Sequence, residues 1–199
     1  MNVYNNVERI REKGIIHFWE LPNKIYVILD SNFKNTLMKE FMKNTRTKYN
    51  AKKITGIQRD TISNIINQRN PTIRIDYILK IIKVINKEEF NLRNVESNIK
   101  WVGDFKSKGV INPKLPFNFN SRAGARFIAA ICNEGWISDG MYYSNSKDES
   151  RQSVKSDAME IFGESHESIG NFVKEKDQYL AFPSIMRDAI NILTDFKGV

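Results

Sequence analysis

The chain is expected to fold as an α+β protein, with a hairpin and a helical bundle first and a segment of order αββαββα after it. Three observations predict this. Ile78, Ile81, Ile82 and Ile85 recur at i, i+3, i+4 and i+7, the apolar stripe of a buried helix. Residues 15–30 are rich in β-branched and aromatic side chains around Pro22-Asn23. From Asn120 onward, helical and strand-like stretches alternate, as helix 121–134, hairpin 136–145, helix 148–162, hairpin 166–182 and helix 184–196.

In order along the chain, residues 5–13 predict a short charged helix, and 15–30 a hairpin turning at Pro22-Asn23. Phe18, Trp19 and Tyr26 read as packing residues, because no basic residues interleave with them. Asn35 is expected to cap a helix carrying Leu37, Phe41 and Met42. A short helix near 50–54 is broken by Gly56, and a third starts around Gln58. Pro71-Thr72 is expected to stop that helix and cap the isoleucine-rich fourth. Residues 101–114 read as a linker with two glycines, and 115–119 as a docking strap. Asp139-Gly140 is a hairpin dipeptide, and Phe162-Gly163 a helix stop. The expected division is a helix and hairpin over 1–34, a bundle over 35–100, a linker over 101–114 and a last unit over 115–199.

The chain has 199 residues and a net charge of +8. Residues 1–100 hold 19 Lys and Arg against 10 Asp and Glu, a balance of +9; residues 101–199 hold 12 against 13, a balance of −1. A basic half beside a near-neutral half predicts that the first half meets a polyanion. No run of 18 apolar residues occurs and residues 1–13 lack an apolar centre, so neither a membrane span nor a secretion signal is expected. One cysteine fits a reducing cytoplasm, and with only two distant histidines beside it no structural zinc site is expected. Walker, dinucleotide-binding and HExxH motifs are absent, and Ser165-His166-Glu167 alternates faces in a strand, so it is no triad.

Residues 49–66 have the makings of a helix-turn-helix. Gly56 allows the sharp turn, and Ile54, Ile57, Ile62 and Ile65 are spaced to lock two helices together. Gln58, Arg59, Thr61, Asn64 and Gln68, with Arg69 at the end, are then free for a major groove, where Asn and Gln match adenine and Arg matches guanine or phosphate. With Asn70-Pro71-Thr72 and the apolar helix after it, the segment resembles the lambda-repressor-like family. Lys52 stands where that family carries a small residue, and Ala51 lies one position early. The resemblance implies binding to double-stranded DNA; a plain four-helix bundle is the alternative.

Phe127-Ile-Ala-Ala-Ile-Cys-Asn-Glu134-Gly135 is a helix of small residues that ends in one acid. The helix dipole disfavours an acid there, so something must compensate it. Ala125, Ala129 and Asn133 recur every four residues, with Ala130 beside them, as a stripe that admits a close partner helix. This helix, the acid, the glycine and the following hairpin together resemble one repeat of the LAGLIDADG homing endonucleases, over residues 115–199. The resemblance implies that two such helices pack about a twofold axis, here in a homodimer through 121–134. It also implies that Glu134, with Gly135, is the metal and catalytic position, holding Mg2+ for site-specific cleavage of double-stranded DNA. Three functions stay open: such an endonuclease, a non-catalytic helix-turn-helix regulator on the same fold, or a truncated remnant.

Overall fold

A computed structural model describes residues 13–67, 69, 71–105, 109–138, 140–163, 170–174 and 177–194, with backbone alone over 170–174, 177 and 178. Residues 5–12 of the expected first helix, together with Gln68, Asn70, Asp139, His166, Glu167, Glu175 and Lys176, lie outside the described residues.

The chain is of mixed α+β class. Its first two strands do not form the expected hairpin. β1 (Ile15–Ile16) pairs instead with β6 (Phe117–Asn118), a hundred residues downstream. β2 (Tyr26–Leu29) pairs on one edge with β3 (Ile73–Arg74) and on the other with β4 (Ile99–Gly103). Between β1 and β2, Phe18–Glu20 is a 3-10 turn, closed because the Glu20 carboxylate accepts from the His17 N–H at 2.8 Å. That local bond ends the strand the residue types predict.

The expected linker is also strand. β4 and β5 (Val110–Ile111) complete an antiparallel sheet of order β3-β2-β4-β5. The glycines that look like flexible joints make room for an indole. A Cβ on Gly103 or Gly109 would lie 2.7 Å or 2.3 Å from the Trp101 ring. Residues from all three expected N-terminal segments therefore share one sheet.

α1 (Ser31–Thr45) starts at Asp30, whose carboxylate accepts from the N–H groups of Asn32 and Phe33; Asn35 lies inside the helix and is not its N-cap. α2 (Lys48–Thr55) and α3 (Arg59–Ile66) follow. α4 (Ile75–Ile85) begins after Arg74 and not at Thr72, because Ile73 and Arg74 are drawn into pairing with β2. It buries Ile75, Ile78, Ile81, Ile82 and Ile85, as the spacing requires. α5 (Leu92–Ser97) then leads into β4.

The second half runs α6 (Arg122–Glu134), β7 (Gly135–Ile137), β8 (Met141–Ser144), α7 (Asp148–Phe162), β9 (Gly170–Lys174), β10 (Asp177–Phe182) and α8 (Ser184–Thr194). Its antiparallel sheet has the order β7-β8-β10-β9. Phe162 is the hub of its core, with ring centroids 4.8 Å from Phe117, 5.6 Å from Phe119 and 5.9 Å from Phe127. Residues 115–119 thus dock as a strap. Gly124 lets the strap approach, since a Cβ there would sit 2.3 Å from the Phe119 carbonyl oxygen. Buried side chains of both halves form one contiguous cluster.

Candidate functional site

Two places hold the residues that the sequence singles out. In the first, the Thr47 side chain caps α2, and Gly56 ends it in the left-handed region at φ 73°. A Cβ on Gly56 would meet nothing within 4 Å, so glycine is favoured here by backbone conformation alone. The Thr55 hydroxyl braces the turn, donating to the Ala51 carbonyl at 2.7 Å and accepting from the Ile57 N–H at 3.1 Å. Ile57, Ile62 and Ile65 are buried, locking α3 down. Ile54 does not join them and is 60% exposed. Ala51 and Thr55, four apart, are the residues of α2 that face the core, which turns Ile54 outward and makes Ala51 the small packing residue.

Gln58, Arg59, Asn64 and Arg69 are exposed on or beside α3. Thr61 is half-buried and lines, with Asn64, a small cavity of about 220 Å3 walled by Tyr26, Tyr77 and Phe105. The Lys48 ammonium donates to the Ser63 hydroxyl at 2.8 Å, tying the first turn of α2 to α3.

The second place is the end of α6. Glu134 is exposed, and its Oε2 accepts from the Tyr143 hydroxyl at 2.8 Å and from the Asn145 side-chain amide. Those two donors, Asn145 foremost, hold its carboxyl below the ordinary carboxylate range, against a smaller opposing effect of desolvation. They are also what compensates the acid at the negative end of the helix. Oε1 has no hydrogen-bond partner among the described residues. Asn145 is itself held by Arg151, which is buried and donates to its carbonyl. Gly135 admits no side chain, since a Cβ would lie 2.6 Å from the Ile131 carbonyl oxygen.

α6 buries Ala123, Gly124, Phe127 and Ile131. Ala125, Ala129 and Asn133 are exposed, and Ala130 is half-buried. Of the small residues of α6, Gly124 serves the strap, Ala123 is buried, and Ala125 and Ala129 face outward. Arg126, between them, makes a two-pronged ion pair with buried Asp157 of α7, which sets how α6 sits on its own domain.

Sequence reasoning missed Tyr143 and Asn145. Their hydrogen bonds need the register of β7 against β8, which places Gly135 opposite Tyr143. It also missed a ring cluster on the same sheet, where Trp136 stacks on Tyr142 with centroids 5.1 Å apart and Tyr179 packs edge-on to both. Among the described residues no group of three or more His, Cys, Asp and Glu gathers into a metal cage, and no helix is long and apolar enough to cross a membrane. Comparison of the chain with protein-family models, curated proteins and solved structures finds no match.

Proposed function

We propose that the chain binds double-stranded DNA through α3, and that its second half is a LAGLIDADG-type unit that cleaves DNA when two copies assemble. The observation that carries the reading is the left-handed turn at Gly56. It seats α3 on Ile57, Ile62 and Ile65 while leaving Arg59, Asn64 and Arg69 in solvent. Arg and Asn on such a helix offer the bidentate pairings that distinguish guanine and adenine. The first-half charge of +9 supplies attraction to phosphate.

In this reading Glu134 and the backbone of Gly135 are half of an Mg2+ site. One ionised carboxylate with a free oxygen fits a hard cation, yet one chain cannot fill an octahedral shell. The exposed Ala125/Ala129/Asn133 face is where a second copy packs and brings the other Glu134. Tyr143 and Asn145 keep the carboxylate ionised and aimed before any ion arrives. Bound Mg2+ would supply activation of a water and stabilisation of the leaving oxygen.

A second reading, a non-catalytic DNA-binding regulator, is favoured by the ring cluster of β7, β8 and β10. Trp136, Tyr142 and Tyr179 neutralise no phosphate. A plasmid assay with Mg2+, beside sedimentation, separates the two. The first reading expects cleavage that Glu134→Gln abolishes, and a dimer that Ala129→Leu splits. A protein that stays monomeric with and without Mg2+ and never cuts, while still binding duplex, leaves the regulator. Loss of duplex binding altogether rejects both.

A further inference from the structure

We infer that the cleft between α1, α2 and α4 is a binding site for an acidic peptide carrying an aliphatic side chain. The cleft has a volume of about 910 Å3 and contains no residue of α3, so it stands apart from the proposed DNA-reading face. Lys43, Arg46, Lys80 and Lys83 line it, with Ile54 and Val84 as its apolar surface.

The four cations are not neutralised within the fold, although the Lys80 ammonium also lies 5.8 Å from the Tyr77 ring centroid. Glu40 lies 3.7 Å from Lys43 but 2.5 Å from Lys87, which claims it. Asp76 lies 3.8 Å from Lys80 but 2.9 Å from Arg74. Arg46 and Lys83 have no ion pair among the described residues. The lining comes largely from the last turns of α1, α2 and α4, whose dipoles bring about −0.5 charge each, or roughly −1.5 against four positive charges. A cationic surplus remains.

The other polar groups of the cleft are already committed. The Asn44 amide donates to the carbonyls of Val84 and Ile85, and the Thr55 hydroxyl to that of Ala51. What the cleft offers a ligand is therefore cationic donors beside Ile54, an aliphatic side chain 60% exposed. A free phosphate or a nucleic-acid strand would use the cations and leave Ile54 in water. An acidic segment with a leucine or isoleucine matches both, by charge complementarity and by covering the exposed aliphatic side chain.

The test uses the full chain and three fluorescent probes in anisotropy titrations. One is a peptide of Glu and Leu about 15 residues long, the second an equally charged poly-Glu peptide, and the third a DNA duplex of about 20 base pairs. Lys83→Glu is expected to weaken the Glu/Leu peptide roughly tenfold or more while changing duplex affinity less than about threefold. Ile54→Ser should weaken the Glu/Leu peptide about fivefold and leave poly-Glu binding unchanged. Three outcomes would overturn the assignment: failure of the wild-type chain to bind the Glu/Leu peptide, indifference of that binding to Lys83→Glu, or a fall in duplex affinity on Lys83→Glu as large as that caused by Arg59→Ala. The last would make the cleft a phosphate track. The Arg59→Ala arm reads the DNA proposal separately.

Discussion

The two halves of this molecule solve the same packing problem with different side chains. The first fills its interior with isoleucine, from α3 and α4, under a strongly basic surface. The second gathers phenylalanines around Phe162 and is close to neutral. An isoleucine stripe is a helix-period device and can be read along one element. An aromatic hub draws its rings from a strap and two helices, which only the assembled fold brings together. The halves are nevertheless joined by β1 with β6 and by Lys24 near buried Asp188 at 3.8 Å. Cutting the chain after residue 100 would divide β4, so charge variants of the whole chain are the sounder comparison of the halves.

The largest effect is expected at the hub. Phe162→Ala is expected to cost about 3–5 kcal/mol in denaturant unfolding, more than any single isoleucine-to-valine change in α4, at about 0.5–1.5 kcal/mol. Equal losses would mean that the second half does not depend on its hub. At the proposed interface, Arg59→Ala or Asn64→Ala should weaken duplex binding by about 1–3 kcal/mol, with circular dichroism unchanged. If neither variant alters affinity, α3 is a helix of a plain bundle.

Glu96 ties the stability of the first half to pH. It is buried, with its carboxylate accepting from the Phe18 N–H and bonded to His17 Nδ1, both at 2.9 Å. Burial, the largest effect, raises its pKa above the ordinary 4.5, and the bonds from Phe18 and His17 offset this in part. The folded state therefore holds this proton more tightly than the unfolded chain. The resulting stabilisation is complete below the unfolded pKa and is lost as pH rises through the folded one. Glu96→Gln lacks this titration, so its melting temperature should gain on that of the wild type as pH climbs from about 4.5. A pH-independent difference would locate the titration elsewhere. The smallest effect is expected at Ile54, where replacement by serine should change stability by no more than about 0.5 kcal/mol, as at other exposed positions. A loss like that of a buried isoleucine would restore the packing role its spacing predicts.

Local pattern alone was enough for the mixed class, the helix of buried isoleucines, the turn at Gly56 and the outward Ala125 and Ala129 of α6. Each rests on a local period or a single residue's conformational range, and both are written in consecutive residues. Helix starts were less legible, because several residues near α1 and α4 can cap and only the backbone's other commitments select one. Tertiary structure decided the rest. It gave β1 and β2 distant partners, made strands of the expected linker and turned its glycines into a seat for Trp101. It moved the packing role in α2 from Ile54 to Ala51, and it set Tyr143 and Asn145 on Glu134. In every one of these cases the deciding contact joins elements whose register or rotation is fixed by pairing and packing across the fold. The spacing along either element alone does not contain it.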